Sequence, residues 1–133
     1  MSQENVDAVR AVYEEWGRGN FRAGVDLYDP LCVFIPMVEF PGADHYLGPE
    51  GVKQFMLEFL SAWTQLAIAA EDFLEAGDSV VVTAHWTGAG RESGVALTEY
   101  RVFDTWTFRG RSAIRFESFT DRAEALDAVG LSE

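Results

Sequence analysis

Residues 95–119, VALTEYRVFDTWTFRGRSAIRFESF, decide the fold, because they read as two long antiparallel strands around one turn. From Tyr100 to Phe108 alternate positions give Tyr100, Val102, Asp104, Trp106 and Phe108 on one face. The opposite face takes Arg101, Phe103, Thr105, Thr107 and Arg109. This is the period-two pattern of a strand with one apolar side. After a turn at Arg109 to Ser112, the partner strand offers Ile114, Phe116 and Ser118 to one face and Arg115, Glu117 and Phe119 to the other. The apolar face contains one acid, Asp104, and a carboxylate among aromatic rings must be paired, wetted or held protonated.

Working outward, Ser79 to Thr87 is a third strand, with Val80, Val82, Ala84 and Trp86 on one face and Val81, Thr83 and His85 on the other. Gly88 to Gly94 reads as its turn: the glycines do not have dinucleotide-loop spacing, and they join two strands. Thr64 to Leu74 is a strand of weaker pattern, ended at Gly77-Asp78. Before it, Pro49 opens a helix whose stripe Val52, Phe55, Met56, Phe59, Leu60 and Trp63 recurs at helical spacing. So broad an apolar stripe must cover the sheet.

The N-terminal part predicts a helix capped by Ser2, with Val6, Val9, Val12 or Tyr13, and Trp16 inward, ending near Gly17 to Gly19. A second helix is expected over Phe21 to Tyr28, stopped by Asp29-Pro30, since proline disfavours helical geometry in the residue before it. Leu31 to Ile35 is a short strand and Pro36 to Gly48 a loop. Asp121, with Glu124 three residues on, starts a last helix that runs to Val129. With no repeat or linker, residues 1–133 are expected to form a single α+β domain: three N-terminal helices packed into a curved, mainly antiparallel sheet, with an apolar pocket.

Composition bounds the function. A net charge of -12, from 22 acidic and 10 basic residues, repels phosphate backbones and anionic lipid, so neither nucleic acid nor membrane is an expected partner. No apolar run approaches the roughly 20 residues of a membrane helix. The single Cys32 has no internal partner and the N-terminus is polar, which predicts a cytoplasmic protein. Cys32 is read as a buried small hydrophobe, His45 as a surface loop residue and His85 as outward-facing. No metal site or cofactor is expected, because neither histidine has a His, Cys or acidic companion at ligand spacing.

The order of elements, with Leu27-Tyr28-Asp29-Pro30, Tyr46-Leu47-Gly48-Pro49-Glu50-Gly51-Val52, Asp104-Thr105-Trp106-Thr107-Phe108-Arg109-Gly110 and Asp121-Arg122-Ala123-Glu124-Ala125-Leu126, resembles the SnoaL-like branch of the nuclear transport factor 2-like superfamily. The resemblance covers nearly the whole chain and implies a cone-shaped sheet around helices, an apolar pocket at its open end, and a homodimer. It specifies the activity poorly, since these relatives include isomerases, cyclases, epoxide hydrolases and binding domains. Alignment to ketosteroid isomerases puts Asp104 at their oxyanion-hole acid, but their general base falls on Ile35 and their tyrosine on Val12 or the adjacent Tyr13. The Arg-x-Asp and second Asp of limonene epoxide hydrolases fall on Ala84 to Trp86 and on Ser118. Neither apparatus is therefore expected to work here.

Two readings of Asp104 stay open. It is either a structural acid bonded to Tyr13, Tyr100 or a water, or a pocket acid whose desolvation raises its pKa into the range for proton transfer. On the second reading Asp104 and Tyr13 are the candidate catalytic residues. Trp86, Trp106, Phe116, Phe55, Phe59, Ile35, Val82, Tyr100 and Ser118 would then contact a small hydrophobic, ring-containing substrate. That describes a cofactor-independent isomerase, lyase or cyclase. The alternatives are a non-catalytic domain that holds a hydrophobic ligand, or a natural scaffold with substitutions for a new reaction. On the outer face Leu97, Phe103 and Phe119, interspersed with Glu99, Arg101, Arg115 and Glu117, suggest the dimer contact.

Overall fold

A computed structural model describes residues 3–36, 45–90 and 96–131, with side chains described from residue 100 in the last segment. In chain order the elements are helix α1 (Gln3–Gly17), a 3-10 turn (Val25–Leu27), strands β1 (Tyr28–Ile35) and β2 (Tyr46–Leu47), helix α2 (Gly48–Ala62), strands β3 (Trp63–Ala76), β4 (Ser79–Gly90), β5 (Ala96–Arg109) and β6 (Ser112–Phe119), and helix α3 (Arg122–Ala128). The strands form one curved sheet ordered β2-β1-β6-β5-β4-β3, antiparallel throughout except where β1 runs parallel to β6. The expected α+β architecture with a curved and mainly antiparallel sheet is the one observed, its three helices being two N-terminal ones, α1 and α2, and the C-terminal α3. No described helix is long and apolar enough to cross a membrane.

The stripes act as their spacing requires. On α1, Val6, Val9, Val12, Tyr13 and Trp16 are buried, and on α2, Val52, Phe55 and Phe59. Both stripes join one core with Val80, Val82, Ala84 and Trp86 of β4 and Val102, Trp106 and Phe108 of β5. Cys32 is fully buried in this core. At the turn into α2, Gly48 has φ 66°, and a side chain there would meet the Pro30 carbonyl oxygen at 2.7 Å. Only glycine fits that close crossing.

Several local expectations are corrected. Phe21 to Tyr28 is not a helix: Gly24 takes φ 88°, against the Val12 side chain, and leaves only the 3-10 turn before Tyr28 enters β1. Nor does Pro30 stop the chain. It sits at a register shift between Tyr28 and Val33, where a strand tolerates proline. Within the expected 36–48 loop, Tyr46–Leu47 pairs with β1; residues 37–44 lie outside the described residues, as do Ser2 and residues 91–94 of the Gly88 to Gly94 turn, while Gly88 to Gly90 continue β4. Trp63 is extended and opens β3 instead of closing α2. Ile114 does not face the core with Phe116, because pairing passes from Thr107–Arg115 to Phe108–Ala113 and leaves it as the extra residue of a bulge.

The outer face carries a further correction. Phe103 and Val81 are buried against Ala125 and Leu126 of α3, with Phe119 packed beside them. Of the apolar residues that suggested a dimer contact, Phe103 is thus buried and Phe119 partly buried from within the chain, and the Leu97 and Glu99 side chains lie outside the described residues. Asp121 caps α3 through its carboxylate, which accepts a bond from the Ala123 N–H at 2.9 Å. Leu126, 3% exposed, is the main anchor. Leu126→Ala should cost about 2–4 kcal/mol in urea unfolding, the range for a buried leucine. A loss under about 0.5 kcal/mol, the scale of a surface change, would mean that α3 does not seal this face.

Candidate functional site

Asp104 sits at the centre of β5, between Val82 of β4 and Ser118 of β6 in register. All three point to the helix side, and Asp104 is 2% exposed. One carboxylate oxygen accepts from the Ser118 hydroxyl at 2.7 Å. The other accepts from the Tyr13 hydroxyl of α1 at 2.5 Å. Tyr13 in turn accepts from the Trp106 indole N–H at 3.1 Å. Trp106 lies two residues from Asp104, so strand parity puts acid and indole on one face, and α1 lowers the phenol between them.

Burial dominates the electrostatics. Desolvation pushes the Asp104 carboxyl from its ordinary 3.8 up to about 6, against the pull of the Tyr13 and Ser118 bonds, which favour the ionised form. Tyr13 is pushed well above the ordinary phenol range by burial and by the neighbouring Asp104 charge, so it stays a donor. Among the described residues no cationic side chain contributes to holding Asp104 ionised. Each carboxylate oxygen accepts one bond from a described residue, and a carboxylate has about four acceptor positions, so acceptor capacity remains.

Asp104 borders a small chamber of about 20 Å³, room for roughly one water. Its walls include Trp16 of α1, Phe34 of β1, Phe55, Met56 and Phe59 of α2, Trp86, and Phe116 with Ser118. The rings pack edge and face: Phe34 on Phe116 at 4.4 Å, Phe55 on Phe59 at 5.4 Å and Phe59 on Trp86 at 5.3 Å between centroids. Two wall residues, Trp16 and Trp86, have buried indole N–H groups with no hydrogen-bond partner among the described residues. A much larger cleft, about 610 Å³, opens between residues 19–28 and α2, and Met56 is common to the walls of both spaces.

Of the residues expected around a ligand, Trp86, Phe116, Phe55, Phe59 and Ser118 do surround the chamber with Asp104. Val82 is fully buried beside the acid. Trp106 is corrected: it lies behind the chamber wall, fully buried, stacked on Tyr28 at 5.7 Å and serving Tyr13. Ile35 is corrected too, since Phe34 takes the chamber wall and Ile35 is only half-buried. Tyr100 pairs across from Trp86 but does not line the chamber. His45 is exposed and His85 half-buried, on the face away from the chamber. Among the described residues no three His, Cys, Asp or Glu side chains converge as a metal-ligand set.

Sequence reasoning missed Trp16, Phe34 and Met56 as wall residues, and the cleft altogether. Trp16 and Met56 were legible only as members of helical stripes, and nothing in a stripe tells a wall from a filled core.

The fold has counterparts. A family model described as SnoaL-like domain matches residues 9–117. A nuclear transport factor 2-like protein of unknown function from Burkholderia pseudomallei superposes with a TM-score of 0.78 at 20% identity, over 98% of this chain and 99% of that one. TerC, co-crystallised with polyporic acid, gives 0.74 at 22% identity over 94% and 96%. A candidate SnoaL-like polyketide cyclase from a Jannaschia species gives 0.71 at 22% identity over 100% and 98%. No curated protein matches the sequence.

Linkage gives the site a signature. A folded pKa of about 6 against 3.8 means that the native state holds the proton more tightly, so this group's contribution is fully present below about pH 4 and is lost as pH rises through 6. At about 1.4 kcal/mol per pKa unit, that loss is about 3 kcal/mol. Asp104→Asn keeps a Tyr13 acceptor and removes the titration. Measured by urea unfolding, parent stability relative to the variant should fall by that order between pH 4 and 7. A parent that instead gains on the variant over this range would show a paired, pKa-lowered acid.

Proposed function

This chain belongs to the SnoaL-like domain family, and from that premise we propose that it is an enzyme in which Asp104 moves a proton next to a carbonyl group of a hydrophobic, ring-containing substrate. The observation that carries the reading is a carboxyl near pKa 6 at the wall of an aromatic chamber whose walls include Trp16 and Trp86, tryptophans with buried indole N–H groups that have no partner among the described residues. A base tuned toward neutrality suits proton abstraction at physiological pH. The Trp16 and Trp86 N–H groups suit the oxygen on which charge then develops.

In the proposed step the Asp104 carboxylate removes a proton from the carbon beside the carbonyl. The electron pair shifts into the carbonyl oxygen, which becomes an enolate held by the indole N–H donors. The protonated Asp104 then returns its proton to a different carbon, which isomerises the substrate. In a cyclisation the enolate carbon attacks a second carbonyl of the same molecule, and the new alkoxide takes the proton. Tyr13 and Ser118 are positioning residues that orient the carboxylate and leave its other lone pairs free. The chamber holds about one water as it stands, so a ring is admitted only if a wall side chain moves, and Met56, shared with the 610 Å³ cleft and unbranched, is suited to that movement.

A second reading is favoured by the same bonds: with each oxygen of Asp104 engaged by Tyr13 or Ser118, the acid serves as a buried polar clasp in a domain that only binds its ligand. Hydrogen–deuterium exchange at the activated carbon of a naphthyl 1,3-diketone, followed by NMR in heavy water, separates the two. Under the enzyme reading the parent accelerates exchange, Asp104→Asn lowers the rate by about 10²-fold or more, and Trp86→Phe lowers it by about 10². A folded parent that binds the diketone without accelerating exchange would leave the binding-domain reading.

A further inference from the structure

We infer that the cleft between residues 19–28 and α2 is a binding site for an amphipathic anion, an aromatic or alicyclic ring bearing one carboxylate, with the ring directed inward and the charge at the rim. Its volume of about 610 Å³ falls in the range of small-molecule sites. Phe21 and Val25 form one wall and Val52, Met56 and Leu60 the other, with Tyr28 between them. These side chains offer an apolar ring a surface that the helices do not close. Leu57, at the same cleft, is 74% exposed.

The charges at this cleft run against those of the chain. The protein carries 22 acidic and 10 basic residues, yet the described lining holds Arg22 and Lys53 and no acid. Arg22 is exposed and makes no ion pair with a described residue. Lys53 pairs with Glu50 at 3.3 Å one turn away, but both side chains are more than half exposed, and such a pair is easily exchanged for a ligand carboxylate. One cation comes from each wall, so a carboxylate at the rim can be met from both sides. A neutral apolar ligand would leave both cations unused, and a cationic one would face them.

This deepens the enzyme reading by naming the substrate class, and rests on it only in taking Met56 as the wall between cleft and chamber. Binding itself requires no turnover. The test compares 1-naphthoate with its neutral isostere 1-naphthamide by calorimetry on the full chain. The parent should bind naphthoate about tenfold tighter, a preference that shrinks as salt is raised. Arg22→Glu with Lys53→Glu, at two exposed positions, should abolish or reverse the preference while naphthamide affinity stays within about twofold. Leu60→Glu, which charges the apolar wall, should weaken both ligands. Asp104→Asn should leave the preference intact, so a failed exchange assay with an intact preference removes the enzyme reading alone. Equal or weaker binding of naphthoate by the parent, a preference that survives charge reversal, or no binding of either probe at about 1 mM would overturn the inference.

Discussion

The structure depends on how a carboxyl group is accommodated under a helix. Asp104 is the acid of an otherwise apolar strand face, and its ionised form is disfavoured by burial. The fold answers with donors from two directions, Ser118 from the adjoining strand and Tyr13 from α1. These bonds do more than satisfy the acid. They fix the depth and rotation of α1 over β5, because Tyr13 must reach Asp104 while also accepting from Trp106. Asn5 of the same helix donates to the Gly110 carbonyl in the β5–β6 turn at 2.9 Å, so α1 is tied to the hairpin at two separate points along its length.

The sheet supplies the geometry that makes such a site possible. Bulges in β3, at the β4–β5 register shift and beside Phe108 bend the strands toward the helices. The resulting hollow is filled from one side by α1 and from the other by α2. Where the helical stripes meet, large rings cannot tile the space completely, and the chamber beside Asp104 is what remains. Because α1 is bonded to the hairpin and α2 contributes mainly hydrophobic side chains, α2 is the wall that can yield without breaking a polar contact to Asp104.

The sequence made legible whatever depended on strand parity and helical period alone. Asp104, Trp106, Val82 and Ser118 share one face because successive residues alternate, and the α1 and α2 stripes are buried where the period puts them. It failed where one residue changed the count. The extra residue at Ile114 moved Ala113 inward. Ile35 fails for another reason, since family alignment points to it while the register in β1 sets Phe34 beside Phe116. Gly24 ended a helix that apolar spacing alone supported. The outer face was misread for a different reason: Phe103 and Phe119 look unpartnered until the last helix folds back over them, and no local pattern encodes that return. The cleft was invisible on the same ground, being made by two segments some thirty residues apart.

The opposition of forces at Asp104 explains why Tyr13 belongs to the site even if it never touches a substrate. Desolvation raises the carboxyl, while each donated bond lowers it, so the final position near 6 is a balance and not the result of burial alone. With fewer donors the acid would move higher and be protonated at neutral pH, a poor base and a better donor. With a cation nearby it would fall toward the ordinary carboxylate range and lose basicity. Tyr13 is itself kept neutral by burial and the Asp104 charge, so it cannot compete for the proton at the pH where the carboxyl titrates. Trp106 completes the arrangement by donating to the phenolic oxygen, which orients the phenol's own proton toward Asp104. The indole therefore tunes an acid with which it makes no direct bond, through one intervening hydroxyl.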